Sequence, residues 1–167
     1  MGRIIHLVPK SGSRPGTGPM FSFAAFTTGG KKFAVRPEKI DEITAGHPIL
    51  SIPQKSPWLT GVVNMRGRVV PVFDLRRRLG LEGMSDPQSG CILIFSVDRH
   101  YVGMIVESIE ETLREAVGNP VPATPGIWPA FISSVIPTSD GEFGLIDPER
   151  ILTAGEREEI GTIKEQF

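Results

Sequence analysis

Residues 61–74 decide the fold, and they read Gly-Val-Val-Asn-Met-Arg-Gly-Arg-Val-Val-Pro-Val-Phe-Asp. Two apolar runs of strand length flank the turn residues Asn64-Met65-Arg66-Gly67, an arrangement typical of a β-hairpin. Gly67 suits a turn conformation with positive φ, and the side chain of Asn64 can bond nearby backbone. The stretch therefore predicts a hairpin whose turn is determined by Asn64 and Gly67.

Short apolar runs of the same kind continue along most of the chain, and turn residues separate them. The turns fall at Gly29-Gly30, Asp98-Arg99 and Asp140-Gly141. Many short strands with Pro-rich connections are typical of barrels or sandwiches. We therefore predict an all-β fold with a few short helices. Residues 1–19 are predicted to be a flexible leader, because residues 9–19 are rich in Pro, Gly and Ser.

Helical patterns are few and short. Pro37 suits the first position of a helix, and Ile40 and Ile43 then fall on one face of it. Asp74 can cap a short helix that follows the hairpin. Acidic residues crowd the start of the segment 156–167, which predicts a C-terminal helix there.

A weak internal repeat runs through the chain. Residues 58–79 match residues 131–152, with apolar residues aligned and an Asp aligned with an Asp. Each copy also follows a hairpin and an Ile-acid-acid sequence. We therefore predict one domain over residues 20–155, made of two similar subdomains (about 20–85 and about 90–155) around a shared core.

Composition and motifs argue against several functional classes. The net charge is −1 and the pI about 6.3, whereas nucleic-acid and membrane-surface binders usually carry a positive excess. No run approaches the ~20 apolar residues of a membrane span and no signal peptide is recognisable, so we expect a cytoplasmic protein without membrane insertion. Cys91, the only cysteine, is predicted to be a buried thiol in a strand. Because no nucleophile, phosphate-loop or metal-ligand motif is present, we expect no catalytic residue, metal or cofactor.

The hairpin also carries a family signature. Residues 61–76 closely resemble the signature of the CheW family of bacterial chemotaxis adaptors: Gly-apolar-apolar-Asn-Leu-Arg-Gly, an apolar strand, then Pro, an apolar residue and Asp-Leu-Arg. Met65 is a mild departure from this pattern. Residues 102–109, Val-Gly-Met-Ile-Val-Glu-Ser-Ile, resemble a second stretch of the family. The resemblance extends from about Phe21 to Leu152.

This resemblance implies two SH3-like five-stranded β-barrel subdomains around a shared core. It also implies a non-enzymatic adaptor, which joins the cytoplasmic tip of a chemoreceptor (a methyl-accepting chemotaxis protein) to the histidine kinase CheA. The barrel ends of such adaptors also pair with the CheW-like regulatory domain of CheA. The protein would thus work in the cytoplasm, recruited to membrane-associated receptor arrays.

The family's partner-binding positions correspond here to Ile40, Glu42, Ile43 and Arg66. Asn64 and Gly67 are motif positions expected to shape the turn. We expect a groove with apolar walls from Ile40 and Ile43 and with Arg66 at its rim, which fits helix-in-groove recognition. Arg36-Pro37 replaces the family's usual acidic-apolar pair and leaves the choice of partner open. Ser133-Ser134 stands where a Gly is frequent and affects local packing.

Two alternatives remain open. The same fold can serve a pilus or gliding-motility chemosensory pathway. A small barrel can also bind nucleic acid through clustered arginines, here Arg66, Arg68, Arg76, Arg77 and Arg78. Because the chain is slightly acidic, a carboxylate-bearing protein partner or plain solvation of this cluster is favoured over nucleic acid.

Overall fold

The computed structural model describes residues 3–4, 23–53, 56–113, 119–138 and 141–165. The strands in these ranges are β1 (Arg3–Ile4), β2 (Phe23–Thr28), β3 (Lys31–Val35), β4 (Glu42–Ala45), β5 (Leu59–Met65), β6 (Arg68–Asp74), β7 (Cys91–Val97), β8 (His100–Val106), β9 (Ser108–Leu113), β10 (Val121–Pro122), β11 (Ser134–Thr138) and β12 (Gly141–Leu145). The α-helices are α1 (Leu75–Arg78) and α2 (Ala154–Glu165), and short 3-10 turns cover Pro37–Lys39 and Pro87–Ser89.

Three two-residue turns set the register of the hairpins. The φ angles are 54° and 82° at Arg66-Gly67, 60° and 74° at Gly29-Gly30, and 48° and 67° at Asp98-Arg99. Two successive positive φ angles define the type I′ turn, whose twist matches that of the strands it joins. All three turns were predicted from the sequence and are confirmed. The fourth, at Asp140-Gly141, begins outside the described residues.

The strands form two six-stranded sheets, ordered β1-β4-β7-β8-β6-β5 and β10-β11-β12-β3-β2-β9. The predicted all-β class with few helices is therefore confirmed. Each sheet contains the predicted five strands and one short addition of two residues, which is β1 in the first sheet and β10 in the second.

The two sheets divide the chain differently from the predicted subdomains 20–85 and 90–155. The β2–β3 hairpin lies in the second sheet, where β3 pairs in parallel with β12. The β7–β8 hairpin lies in the first sheet, where β8 pairs in parallel with β6. Each copy of the repeat therefore gives its first hairpin to the sheet of the other copy. Self-similarity of the sequence reveals that two copies exist, but it does not specify which hairpins pair.

Apolar side chains from both sheets meet in one large cluster. It includes Phe33 of the second sheet, Phe73 and Phe95 of the first, and Ile160 of α2, all almost fully buried. Smaller clusters fill the inside of each barrel, with Val72 and Ile94 in the first and Phe23 and Phe143 in the second. The shared core predicted from the repeat is present.

Both helices begin with a side-chain cap. Asp74 is 1% exposed, and its Oδ1 accepts a hydrogen bond from the backbone N of Arg76 at 2.9 Å, as the sequence predicted. Thr153 and Glu156 form a reciprocal capping box in front of α2, with bonds of 2.8 and 3.3 Å. The cap places the start of α2 at Ala154, two residues before the predicted segment 156–167.

The helical prediction around β4 is wrong. Ile40 and Ile43 do not share a helix, because the turn at Pro37–Lys39 ends there and the strand β4 begins at Glu42. The backbone N of Asp41 already bonds Ile94 O at 2.8 Å, so the chain joins the sheet. In the predicted leader, Arg3–Ile4 instead pairs with Ala45 and Thr44 of β4. The rest of that leader lies outside the described residues.

Candidate functional site

The turn of the β5–β6 hairpin and the start of β4 meet at one end of the first sheet. Nη2 of Arg66 lies 3.4 Å from Oε1 of Glu42, which is 24 residues away in sequence. The Arg66 side chain is 71% exposed and that of Glu42 only 19%. The structure thus brings together two of the predicted partner-binding residues, and it leaves the guanidinium largely open to solvent.

Asn64 and Gly67 fix the backbone under Arg66. Oδ1 of Asn64 accepts a hydrogen bond from the backbone N of Gly67 at 2.9 Å. Arg66 itself has a φ of 54°, a conformation that costs about 1–2 kcal/mol for a residue other than glycine. The Asn64 bond and the strand pairing on both sides hold this conformation, so the turn presents Arg66 in a defined direction.

Ile43 does not belong to this site. It is 2% exposed, pairs across the sheet with Leu93 and packs into the cluster between the two sheets. Ile40 is half-buried and packs against that same cluster. The expected groove with walls from Ile40 and Ile43 is therefore wrong for Ile43. Neighbouring residues of a strand point to opposite faces, and Glu42 takes the face that leads to Arg66.

An open cavity of about 390 Å³ lies at this end of the first barrel. Its lining combines apolar and charged side chains: Met65, Val70 and Ile94 with Asp41, Glu42, Arg66, Arg68 and Tyr101. Met65, Val70 and Ile94 are buried and continue into the cluster inside the barrel. The cavity therefore has a mainly polar and charged lining over a small apolar floor, and we call it the barrel mouth.

Besides the three apolar residues of its floor, Asp41, Arg68 and Tyr101 of the barrel mouth were missed as site residues from the sequence. The Cζ of Arg68 lies 5.3 Å from the centre of the Tyr101 ring, and Asp41 accepts a hydrogen bond from Ser96 Oγ at 2.8 Å. Arg68 was visible in the arginine cluster. Its meeting with Tyr101 depends on the parallel pairing of β6 with β8, which no local pattern predicts.

The arginine cluster is not one basic surface. Arg76 forms an ion pair with Glu107, and Arg78 forms one with Glu156 of α2. Arg78 also stacks over Trp58 and Phe73, with its Cζ 5.9 and 5.6 Å from the two ring centres. Arg66 pairs with Glu42, and Nη1 of Arg77 donates a hydrogen bond to Pro57 O at 3.5 Å, so four of the five arginines make polar contacts within the protein.

Cys91 offers no nucleophile. It lies half-buried at the start of β7, and burial raises the pKa of its thiol, against a smaller lowering by a backbone hydrogen bond from Ile109. A raised pKa keeps the thiol protonated near neutral pH, where the thiolate is the reactive form. Within the described ranges, no group of three or more His, Cys, Asp or Glu is placed to hold a metal ion. No described helix is long and apolar enough to cross a membrane.

The fold and the site define an all-β module of two joined sheets with an open, charged cavity at one end. The family model of the CheW-like domain matches residues 22–156. The chain belongs to the CheW-like domain family.

Relatives support this membership over most of the chain. The probable chemotaxis protein CheW of Rhizobium etli is 30% identical over 100 residues, which are 59% of this chain and 64% of that protein. The chemotaxis protein CheW of Klebsiella aerogenes is 24% identical over 80% of this chain and 82% of its own length. That of Rhizobium meliloti is 25% identical over 80% of this chain and 88% of its own length.

The fold also matches a solved structure. The scaffolding protein TtCheW of Thermoanaerobacter tengcongensis superposes with a TM-score of 0.67 at 22% identity, covering 80% of this chain and 92% of its own. This family is one of non-enzymatic scaffold proteins, so the prediction that the chain is not an enzyme is confirmed.

Proposed function

We propose that the protein is an adaptor that couples chemoreceptors to the histidine kinase CheA in chemosensory signalling. It would bind the cytoplasmic tip of a methyl-accepting chemotaxis protein and the CheW-like regulatory domain of CheA. It would do so in the cytoplasm, next to membrane-associated receptor arrays. Membership of the CheW-like family and relatives named as chemotaxis proteins support this role.

The geometry of Arg66 is the observation that carries the proposal. Its guanidinium is 71% exposed, its backbone is fixed by the type I′ turn, and its ion pair with Glu42 is long at 3.4 Å. A pair of this kind contributes little to stability. A partner carboxylate or carbonyl can therefore bond the guanidinium with little loss to the folded protein. Such an arrangement fits a contact residue at the rim of a binding site.

Charge reversal at Arg66 tests the proposal. We expect Arg66→Glu to weaken binding to a cognate receptor fragment, to the CheA regulatory domain, or to both, by about tenfold or more. Loss of a charge-assisted hydrogen bond and repulsion from Glu42 act in the same direction. Isothermal titration calorimetry with both partners measures the change.

Arg150 provides the control. Its side chain is 68% exposed and its Nε lies 3.8 Å from Asp147, so its surroundings resemble those of Arg66 away from the barrel mouth. Arg150→Glu should leave both affinities within about twofold. Unchanged affinity of Arg66→Glu for every partner would contradict the proposal.

A further inference from the structure

Arg68 and Tyr101 form an ordered pair at the barrel mouth. The parallel pairing of β6 and β8 sets Val72 beside Gly103, and Arg68 and Tyr101 lie nearer the starts of the same two strands. The Cζ of Arg68 lies 5.3 Å from the ring centre. A guanidinium over an aromatic face is attracted to it and keeps its planar fork of donors in one orientation.

The guanidinium of Arg68 has no carboxylate partner within the described part of the chain. Arg76, Arg78 and Arg157, by contrast, each form an ion pair there. Of the two carboxylates at the barrel mouth, Glu42 pairs with Arg66, and Asp41 accepts a hydrogen bond from Ser96 Oγ. The stacked fork of Arg68 is exposed and lines the cavity, so its N–H donors are available to a ligand.

Arg66 lies on the same cavity wall, with only its long ion pair to Glu42. Two guanidiniums therefore face one cavity of about 390 Å³, whose floor is formed by Met65, Val70 and Ile94. A planar oxyanion suits such a pair of forks because each can bond it bidentately. Asp41 and Glu42 also line the cavity, so a single carboxylate side chain fits its mixed charges better than the successive phosphates of a nucleic acid.

We propose that Arg68, oriented by Tyr101, and Arg66 together bind a carboxylate side chain of the protein partner at the barrel mouth. This rests on the proposed adaptor function and specifies the chemistry of the same site. Arg68 is a specificity-determining contact and Tyr101 is a positioning residue. Because Tyr101 orders the guanidinium of Arg68 before binding, less conformational entropy is lost when the contact forms.

Calorimetry with the full chain tests the role of Arg68. The titrants are a cognate receptor cytoplasmic fragment and the cognate CheA regulatory domain, each at low and at raised NaCl. For the partner that carries the carboxylate, Arg68→Gln should weaken binding about tenfold and reduce its salt dependence. Arg68→Lys, which keeps the charge but loses the fork, should also bind several-fold more weakly. Arg150→Gln, a change of the same chemistry in the second copy of the repeat, should bind like wild type.

A double-mutant cycle tests the partner's carboxylate. Each exposed Asp or Glu of the partner is changed to its amide. One of these changes should weaken binding to the wild-type protein but have no effect on binding to the Arg68→Gln variant. Tyr101→Leu should weaken binding, and the variant that combines it with Arg68→Gln should be no weaker than Arg68→Gln alone. Fully additive effects of those two changes would overturn the positioning role. Thermal unfolding of every variant confirms that it is folded.

The outcomes separate this inference from the function on which it rests. Wild-type protein that binds neither partner would overturn both. If Arg66→Glu weakens binding but Arg68→Gln keeps the affinity within twofold of wild type, the carboxylate site alone is overturned. Arg68-dependent binding to a single-stranded oligonucleotide, without an Arg68 effect on either protein partner, would overturn the choice of a carboxylate over a phosphate.

Discussion

At the scale of single residues, one buried carboxylate organises the end of the β5–β6 hairpin. Asp74 is 1% exposed, and its two oxygens accept hydrogen bonds from the backbone N of Arg76 at 2.9 Å and of Met84 at 2.6 Å. These bonds start α1 and tie down the loop that follows it. Its counterpart in the repeat, Asp147, accepts one such bond, from Glu149 N at 3.1 Å.

This difference predicts unequal losses of stability. Asp74→Ala leaves two backbone N–H groups unsatisfied in a buried place, and we expect it to lower the free energy of unfolding by about 2–4 kcal/mol. Asp147→Ala removes one backbone hydrogen bond and the long ion pair with Arg150 from a side chain that is 40% exposed, and it should cost less than about 1 kcal/mol. Urea unfolding followed by circular dichroism measures both. Equal effects of the two substitutions would contradict this account of the caps.

At the scale of elements, the type I′ turn governs how Arg66 is presented. Gly67 has a φ of 82°, and no atom lies within 4 Å of the place where a Cβ would be added. Any penalty for a side chain at Gly67 is therefore conformational rather than steric. Gly155 also has open space, but it lies in α2 without a positive φ.

Substitution by alanine should therefore have opposite signs at these two glycines. Gly67→Ala should destabilise the fold by about 1 kcal/mol, since a left-handed conformation is unfavourable for alanine. Gly155→Ala should stabilise it by up to ~1 kcal/mol, because alanine has the higher helix propensity. Thermal unfolding of the two variants against wild type gives the sign directly. Stabilisation by Gly67→Ala would show that the turn does not require a positive φ at that position.

At the scale of the whole molecule, the exchange of hairpins makes the two barrels interdependent. Parallel pairing of β6 with β8 and of β3 with β12 joins segments from different copies of the repeat. Residues 20–85 contain strands of both sheets and complete neither. The shared cluster also draws Phe33 and Phe95 from the two hairpins that change sides.

Local patterns predicted the turns, the cap at Asp74 and the existence of two copies, because each depends on residues close in sequence. They did not predict the exchange or the pairing of Arg68 with Tyr101, which depend on parallel pairings between distant strands. The error at Ile43 has a similar cause. The spacing of Ile40 and Ile43 predicted that they share one face of a helix. Instead, β4 pairs with β7, and the side chain of Ile43 packs in the core.

The exchange predicts that neither half of the chain folds alone. A fragment of residues 20–85 should show no cooperative urea transition by circular dichroism, because its strands lack their neighbours in both sheets. Mixing it with a fragment of residues 86–167 should restore β structure and a cooperative transition. A cooperative transition in the first fragment by itself would contradict the observed topology.

Co-sedimentation tests the central claim, adaptor function through the barrel mouth, most directly. Membranes that contain a cognate receptor are mixed with CheA, with or without the protein, and CheA in the pellet is measured. The account predicts that the wild-type protein increases CheA in the pellet, that Arg150→Glu does so equally, and that Arg66→Glu does so much less. Equal recovery of CheA with wild type, with Arg66→Glu and without the protein would contradict it.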